Sequence, residues 1–264
     1  MDQLEERLQA VLSLVRQAGA VIMQLYNGDD TRWEVTHKAD NSLLTQADLA
    51  AHRVLAEGLQ QLTPDIPVVS EEDAASQDLR SVSTQFWLID PLDGTKEFVA
   101  RNGEFTVNVA LIEYGQPVLG VVFAPALNLV YAGGKHSGAF CERDGVRTLI
   151  RVAAWGETVR VVASKSHLND ETKQFIARLG AHELVQAGSS LKFCRVAEGS
   201  ADIYPRLAPT CEWDTAAAQA VLEAAGGVVT TIDGAALVYG KPDVLNPSFV
   251  AASIPAARWY SDNR

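Results

Sequence analysis

Hydrophobic residues at the start of the chain recur at three- and four-residue steps, the spacing of one helix face. The series consists of Leu4, Leu8, Val11, Leu12, Val15, Ala18, Ile22 and Leu25. It predicts an amphipathic first helix that ends near Asn27 and Gly28. Further along, Thr45-Gln46-Ala47-Asp48 has the pattern of an N-terminal capping box. It predicts a second helix before Pro64 and Pro67, whose buried residues would be Leu49, Val54, Leu55, Leu59 and Leu62.

The middle of the chain consists of short hydrophobic runs typical of β-strands. Residues 68–69 and 87–89 come first, and the runs that follow are residues 105–113, 118–123, 129–132 and 138–142. These later runs are separated by few residues, whereas parallel pairing needs a long crossover, so we expect antiparallel pairing. The first half of the chain is therefore predicted to be α+β with an antiparallel sheet.

From about Thr158 onward, predicted strands and helices alternate. The strands are residues 159–163, 183–186, 201–204 and 227–232, and the helices are residues 170–179, 190–198 and 215–225. Such alternation favours an α/β layer with a mostly parallel sheet covered by helices. We place a soft boundary near residue 152, which gives an α+β subdomain (1–152) and an α/β subdomain (153–264).

The net charge of the protein limits the class of molecule that it is expected to bind. The formal net charge is -11, whereas a protein that binds duplex nucleic acid needs a basic surface to replace counterions. A nucleic-acid polymer is therefore not expected as a partner. The net charge does not exclude a phosphorylated small molecule as a ligand, because bound cations can attract phosphate to an acidic site.

The sequence also bears on location. The start, Met1-Asp2-Gln3-Leu4, lacks the features of a signal peptide, and the most apolar stretch, residues 118–132, is too interrupted for a transmembrane segment. Three cysteines, Cys141, Cys194 and Cys211, show no metal or disulfide spacing and favour reduced thiols. We expect a cytoplasmic protein, and the pattern leaves its oligomeric state open.

Four acidic residues each come after a hydrophobic run: Glu71, Asp90, Asp93 and Asp214. Carboxylates at strand ends and helix starts gather where strand termini converge, which is where α/β proteins form sites. Acidic oxygens held close together repel one another unless a cation lies between them. Magnesium prefers hard oxygen ligands and combines carboxylates with substrate phosphate. The pattern therefore predicts a magnesium site.

The central segment reads Asp90-Pro91-Leu92-Asp93-Gly94-Thr95. The proline ends strand pairing and the glycine permits a tight turn, so Asp90 and Asp93 can face one site. Asp90 could then bridge two ions, with the Leu92 carbonyl as a further ligand. The N–H groups of Gly94 and Thr95 would point at an anion if a helix begins there. In isolation such a segment is more often a surface turn, but the strand before it and the other acids favour a site.

These residues resemble the signatures of the inositol monophosphatase-like, lithium-sensitive phosphatases. Residues 87–95, Trp-Leu-Ile-Asp-Pro-Leu-Asp-Gly-Thr, are similar to the first signature, and residues 211–217, Cys-Glu-Trp-Asp-Thr-Ala-Ala, to the second, W-D-x-A-A. Ser70-Glu71-Glu72 matches the acidic element that precedes them. The likeness spans nearly the whole chain. It implies a layered αβαβα sandwich and hydrolysis of a phosphate monoester by a metal-activated water.

The resemblance also implies roles for individual residues. Two or three Mg²⁺ ions would be held by Glu71, Asp90, Asp93, Asp214 and the Leu92 carbonyl. The catalytic residues would be Thr95, which hydrogen-bonds the attacking water, its partner Asp48, and Glu71. From its position alone Asp48 is a helix cap, and both roles can hold together. The resemblance gives Lys38 a place in a loop over the metals and leaves peripheral attachment to the cytoplasmic face of the inner membrane open.

Within the family, Lys96-Glu97-Phe98 resembles the 3′(2′),5′-bisphosphate nucleotidase branch. Ser189, Lys192 and Arg206 match residues that grip the phosphate that is not cleaved, and His167 matches a position near it. A substrate with two phosphates needs such a cationic pocket. The full set of predicted substrate contacts is Asp93, Gly94, Thr95, His167, Ser189, Lys192, Arg206 and Asp214. From the pattern alone, Lys192 and Arg206 could also be solvated surface residues and His167 an ordinary loop residue.

The leading hypothesis is hydrolysis of the 3′-phosphate of adenosine 3′,5′-bisphosphate to AMP and phosphate, with the corresponding phosphosulfate as a second substrate. An inositol monophosphatase or inositol 1,4-bisphosphate phosphatase is the alternative enzyme, against which Lys192 and Arg206 argue mildly. A catalytically silent, metal-dependent binding protein is the alternative of another class. Every expected ligand and Thr95 are intact, which argues against it.

Overall fold

The computed structural model describes residues 3–28, 36–37, 43–163 and 169–253. Lys38 and His167 lie outside these residues. The described α-helices are α1 (Gln3–Tyr26), α2 (Gln46–Leu62), α3 (Leu79–Val82), α4 (Thr95–Val99), α5 (Asp170–Ala177), α6 (Leu191–Ala197) and α7 (Ala216–Ala224). Short 3₁₀-turns are Ala74–Ser76, Pro125–Leu127 and Glu212–Asp214.

The described strands form one small hairpin and two larger sheets. The hairpin consists of β1 (Thr36–His37) and β2 (Leu43–Leu44). The first large sheet contains β3 (Val68–Ser70), β4 (Gln85–Asp93), β5 (Thr106–Glu113), β6 (Gln116–Ala124), β7 (Leu129–Gly134), β8 (Gly138–Arg143) and β9 (Val146–Ile150). The second contains β10 (Val159–Ala163), β11 (His182–Gln186), β12 (Ile203–Arg206), β13 (Val228–Thr231) and β14 (Phe249–Ala252).

The seven strands of the first sheet lie in chain order. All neighbours pair antiparallel except β3 and β4, which are parallel and are joined by a connection long enough for a crossover. The predicted antiparallel sheet is confirmed. Strand β9 was not predicted, because it is an edge strand with four exposed residues and shows no buried face.

Helices α1 and α2 pack together over one face of this sheet. Both were predicted, and Thr45 caps α2 in the expected capping box with Asp48. Leu55 and Leu59 are fully buried, but the predicted burial of Leu49 is wrong, since it lies off their stripe and is 37% exposed. By length and composition alone α1 could also cross a membrane. Its buried side chains instead share a hydrophobic cluster with β5 and β6, as those of a core helix do.

The second sheet has the strand order β11-β10-β12-β14-β13. β10 pairs in parallel with β11 and β12, whereas β14 runs antiparallel to both β12 and β13. The expectation of a mostly parallel sheet is therefore corrected, and the sheet is mixed. The physical reason is that no helix is described between β13 and β14, so the chain turns back directly instead of crossing over.

Helices α6 and α7 fill the space between the two sheets, and α5 covers the outer face of the second. Alternation along β4 shows the layering, because Trp87 packs with α1 and α2 whereas Phe86 packs toward α6 and α7. α7 lies very close to β6, since a Cβ on Gly120 would be 2.1 Å from the Ala217 carbonyl oxygen. The predicted αβαβα sandwich is confirmed. The boundary near residue 152 falls between β9 and β10 and stays a prediction.

Candidate metal and phosphate site

The site is built around the end of β4, where a bulge interrupts the pairing between Asp90 and Asp93. Asp90 is 1% exposed, and its Oδ1 accepts the Leu92 N–H at 3.1 Å. The Leu92 side chain is buried in the core beneath the bulge. Gly94 has a φ of 91°, and a Cβ there would lie 2.2 Å from the Ser189 hydroxyl oxygen. Glycine is thus required here by backbone conformation and by close packing. α4 begins at the next residue.

Three carboxylates meet at this turn. Glu71 follows β3, Asp90 belongs to β4, and Asp214 ends the 3₁₀-turn before α7; one oxygen from each lies within 4.8 Å of the others. Burial raises the pKa of Asp90 well above its usual value, and the charge of Glu71 adds to the rise. Burial and the charge of Asp93 raise the pKa of Asp214 to about 8. The bare cluster therefore resists full ionisation, and a cation would relieve it.

The donor set fits a divalent cation that prefers hard oxygen ligands. The three close groups are all carboxylates, and one is almost completely buried. A buried carboxylate without a counter-ion costs far more free energy than one that is paired or coordinated. The turn is therefore an acidic metal-binding cluster, in which Glu71, Asp90 and Asp214 would hold the ion.

Asp93 is not a member of that close group but is held beside it. Its Oδ2 accepts hydrogen bonds from the hydroxyls of Ser190, at 2.9 Å, and Thr106, at 3.4 Å. The Ser190 hydroxyl is also 3.0 Å from the backbone oxygen of Asp214. One hydroxyl thus contacts an acidic residue from each half of the chain.

Thr95 and Asp48 lie next to each other, as the family resemblance implied. The Thr95 hydroxyl donates to Asp48 Oδ1 at 3.3 Å. The other carboxylate oxygen of Asp48 accepts the backbone N–H of Thr45 at 2.8 Å and its hydroxyl at 2.6 Å. The capping interpretation and the partnership with Thr95 therefore hold at once, because each uses a different oxygen. The cap fixes the carboxylate that faces Thr95.

The cationic residues lie on α6 and β12. Lys192 is 7% exposed and donates to the Ser189 carbonyl oxygen at 2.6 Å, and burial lowers its pKa to about 8. Arg206 donates from Nη2 to the Pro209 carbonyl oxygen at 3.0 Å. Its buried Nε has no hydrogen-bond partner among the described residues. Neither side chain is an ordinary solvated surface residue.

The hydroxyl of Ser189 lies close to two backbone carbonyl oxygens. It is 3.0 Å from the Asp93 carbonyl oxygen and 2.8 Å from that of Glu104. The backbone at Ser189 has a φ of 46°, in the left-handed region. In the structure this hydroxyl therefore supports the turn after β4, although the residue also lines the pocket.

Carboxylates and cations line one pocket of about 360 Å³. The predicted residues among its lining are Glu71, Asp93, Gly94, Thr95, Ser189, Lys192, Arg206 and Asp214. Asp90 and Asp48 are buried behind this lining, each 1% exposed. His167 lies outside the described residues. Tyr204, Phe193 and Thr210 complete the cationic end.

Sequence reasoning missed the buried groups that support the site. Ser190 was predicted only as a helix start, and Asn108 only as a strand residue. Glu212 is fully buried and accepts hydrogen bonds from Arg80 Nη1, at 3.1 Å, and from the Lys241 N–H, at 3.0 Å. It anchors the 3₁₀-turn that carries Asp214. No local pattern signals these contacts, because the partners are far apart in sequence.

The model of the inositol monophosphatase family matches residues 3–262. The chain belongs to this family. Among curated proteins, the 3′(2′),5′-bisphosphate nucleotidase CysQ of Salmonella typhimurium is 51% identical over 243 residues, covering 92% of this chain and 98% of that protein. The protein of the same name from Escherichia coli is 50% identical, with the same coverage.

Among solved structures, a protein of the same name as these relatives is similar to this chain. The crystal structure of CysQ from Bacteroides thetaiotaomicron, described as a bacterial member of the inositol monophosphatase family, matches with a TM-score of 0.85. It is 38% identical, and the match covers 96% of this chain and 99% of that chain. The resemblance to the bisphosphate nucleotidase branch, first suggested by Lys96-Glu97-Phe98, is thereby confirmed.

Proposed function

We propose that this chain is a 3′(2′),5′-bisphosphate nucleotidase that hydrolyses the 3′-phosphate of adenosine 3′,5′-bisphosphate to give AMP and phosphate. The observation that carries the proposal is that Glu71 and Asp214 of the acidic cluster line the same pocket as Lys192 and Arg206. One end suits a metal with a scissile phosphate, and the other suits a second phosphate. Relatives that bear this activity in their names are about half identical over nearly their whole length.

We assign Mg²⁺ to the acidic cluster, as two or three ions, because the close donors are carboxylate oxygens. The ligands would be Glu71, Asp90, Asp93, Asp214 and the Leu92 carbonyl. When bound, Mg²⁺ lowers the pKa of a coordinated water and stabilises charge on the attacking and leaving oxygens.

The remaining chemistry falls to the side chains of the pocket. Thr95 donates its proton to Asp48, which leaves its oxygen lone pairs free to accept a hydrogen bond from the attacking water. Asp48 is held by the helix cap and so fixes the direction of the Thr95 hydroxyl. A proton taken from the water can then pass through Thr95 toward Asp48.

Lys192 and Arg206 bind and orient the second phosphate. In the structure their described hydrogen-bond acceptors are uncharged, namely two backbone carbonyls and the Tyr204 hydroxyl, so a phosphate dianion would be a stronger acceptor than these partners. An anion there would also favour the charged form of Lys192, whose pKa burial lowers to about 8. Arg206 offers a planar group for bidentate contact.

We also infer that the protein acts in the cytoplasm on a small nucleotide and not on a nucleic-acid polymer. Cys141, Cys194 and Cys211 are free thiols, and the net charge is -11. Free thiols are typical of a reducing compartment. The acidic surface disfavours polymer binding without excluding a metal-assisted nucleotide substrate.

The direct experiment compares kcat/KM for adenosine 3′,5′-bisphosphate, inositol 1-phosphate, inositol 1,4-bisphosphate and fructose 1,6-bisphosphate under one condition with Mg²⁺. We expect adenosine 3′,5′-bisphosphate to give the highest value, because it places one phosphate at each end of the pocket. A higher value for inositol 1-phosphate would contradict the proposal. If the protein binds one of these four compounds but hydrolyses none of them, the result would favour the alternative of a catalytically silent, metal-dependent binding protein.

A further inference from the structure

Behind the pocket, a buried hydroxyl connects the two halves of the site. Ser190 is 1% exposed and precedes α6 as its N-cap residue, but its side chain makes no cap hydrogen bond with that helix. Its hydroxyl instead lies 2.8 Å from Asn108 Nδ2, 2.9 Å from Asp93 Oδ2 and 3.0 Å from the Asp214 carbonyl oxygen. Three separate segments of the chain therefore meet at one oxygen atom.

The proton arrangement at this oxygen follows from the partners. A serine hydroxyl has one proton, and Asp93 Oδ2 and the Asp214 carbonyl oxygen are both acceptors. Of the three described partners only the Asn108 amide can donate, so the Ser190 oxygen accepts from Asn108 and gives its proton to Asp93 Oδ2, the nearer of the two acceptors. The amide thus directs the hydroxyl proton toward the acidic residues.

Asn108 itself is held in place by the first sheet. It lies in β5, directly across from Asp90 in the strand register, and is 1% exposed. Its Oδ1 is buried without a hydrogen-bond partner among the described residues. A buried amide with one unused acceptor costs stability. This cost is explained if the amide is needed for the hydrogen bond that its nitrogen donates to Ser190.

We propose that Ser190, oriented by Asn108, is a positioning residue that fixes the Asp93 carboxylate relative to Asp214 and so sets the geometry of the cation site. It acts through the Asp93 carboxylate and the Asp214 backbone, which its hydroxyl contacts. Supporting hydrogen bonds of this kind orient metal ligands and set their affinity. The inference rests on the proposed function for its relevance to catalysis, but its test needs only metal binding.

The test is a titration of the metal-free full-length protein with Mg²⁺ alone, followed by the rise in Tm with Mg²⁺ concentration. Ser190→Ala removes the hydroxyl, and we expect the apparent Kd for Mg²⁺ to rise roughly 10- to 100-fold. An unchanged Kd in Ser190→Ala would overturn the proposal. If Ser190→Ala does not fold, Ser190→Cys replaces it, since a thiol keeps the shape but is a weak donor. Wild-type Mg²⁺ affinity in that variant would equally count against Ser190.

Thr172→Ala provides the matched control. Thr172 is also a buried residue, 5% exposed, and its hydroxyl donates to Asn169 on the outer layer of the fold. Losing this hydroxyl should lower Tm in metal-free protein but leave the apparent Kd for Mg²⁺ unchanged. An equal rise in Kd in both variants would mean that Ser190 supports only general stability, which would overturn its positioning role.

Asn108→Ala tests whether the amide works through the serine. Alone, it should raise the apparent Kd for Mg²⁺ by less than Ser190→Ala does, because the hydroxyl can still donate to Asp93. Combined with Ser190→Ala it should add nothing further. Full additivity would contradict the role of Asn108. If the wild type binds Mg²⁺ but hydrolyses no bisphosphate, the proposed function fails while the titration of these variants still decides this inference.

Discussion

The two ends of the pocket differ in what holds their charged groups. At the acidic end, carboxylates accept hydrogen bonds from the protein: Asp48 from Thr45 and Thr95, and Asp93 from Ser190 and Thr106. At the cationic end, Lys192 donates to one backbone carbonyl, and Arg206 donates to another and to the Tyr204 hydroxyl. One end is fixed by directed bonds, and the other presents charge to weak partners.

This difference indicates a division of labour. Chemistry at the scissile phosphate needs groups held at fixed positions, which the acidic end provides. Recognition of a second phosphate needs positive charge on long side chains, which Lys192 and Arg206 provide. Substitutions at the acidic end should therefore lower kcat, with or without a loss of metal affinity, whereas those at the cationic end should lower kcat/KM for one class of substrate.

The largest expected effect is removal of the metal. Chelation should abolish hydrolysis, and added Mg²⁺ should restore it, because the metal would activate the water and stabilise charge on the attacking and leaving oxygens. Ca²⁺ should not restore it, because its looser and higher coordination does not reproduce the geometry that Mg²⁺ imposes. The measurement is initial rate after dialysis against chelator and back-titration with each ion. An undiminished rate in the chelated protein would refute the assignment of the acidic cluster.

The next largest effect separates a ligand from a residue that positions water. Thr95→Ala should lower kcat by roughly 10²–10⁴-fold while leaving the affinity for Mg²⁺ nearly intact, since its hydroxyl contacts Asp48. Asp90→Asn is the matched variant and should weaken both Mg²⁺ affinity and kcat. Calorimetric titration with Mg²⁺ beside steady-state kinetics provides the comparison. If both variants lose metal affinity equally, the two roles are not separate.

A smaller effect concerns pH. The pKa of Asp214 is raised to about 8, so below that pH the metal-free site holds a proton that Mg²⁺ must displace. Apparent Mg²⁺ affinity should therefore fall by about tenfold per pH unit, for each proton displaced, as pH decreases from 8 to 6. The stability of the metal-free fold changes in the opposite direction: because the pKa of Asp214 is raised in the folded state, this stability falls as pH rises toward 8. Mg²⁺ should therefore increase Tm more at high pH. Calorimetric titration across this range measures the affinity, and a flat profile would be inconsistent with a protonated site.

The sequence predicted the acidic residues of the site more completely than it predicted the buried residues that support them. The capping box of Thr45 and Asp48 and the turn after β4 could be predicted because their contacts span only a few residues. The contact of Asn108 with Ser190 crosses 82 residues, and that of Arg80 with Glu212 crosses 132. Such pairs depend on how the two sheets pack, which no local pattern of charge or hydropathy encodes.

The fold shows the same limit. Strands with a buried face, such as β5 and β6, were predicted because burial selects hydrophobic residues. The exposed edge strand β9 was missed, and β14 was missed along with the reversal of direction that makes the second sheet mixed. Direction depends on the connection between strands and not on the composition of the strands.

The most direct test of the account is the Arg206→Ala variant assayed on two substrates. If Arg206 grips the second phosphate, kcat/KM for adenosine 3′,5′-bisphosphate should fall roughly 10–150-fold, the equivalent of about 1.5–3 kcal/mol for a charge-assisted hydrogen bond. The value for adenosine 3′-monophosphate should barely change, and Arg206→Lys should recover only part of the loss. Equal losses on both substrates in a variant with wild-type Tm would contradict the account, because Arg206 would then be structural and would not bind a second phosphate.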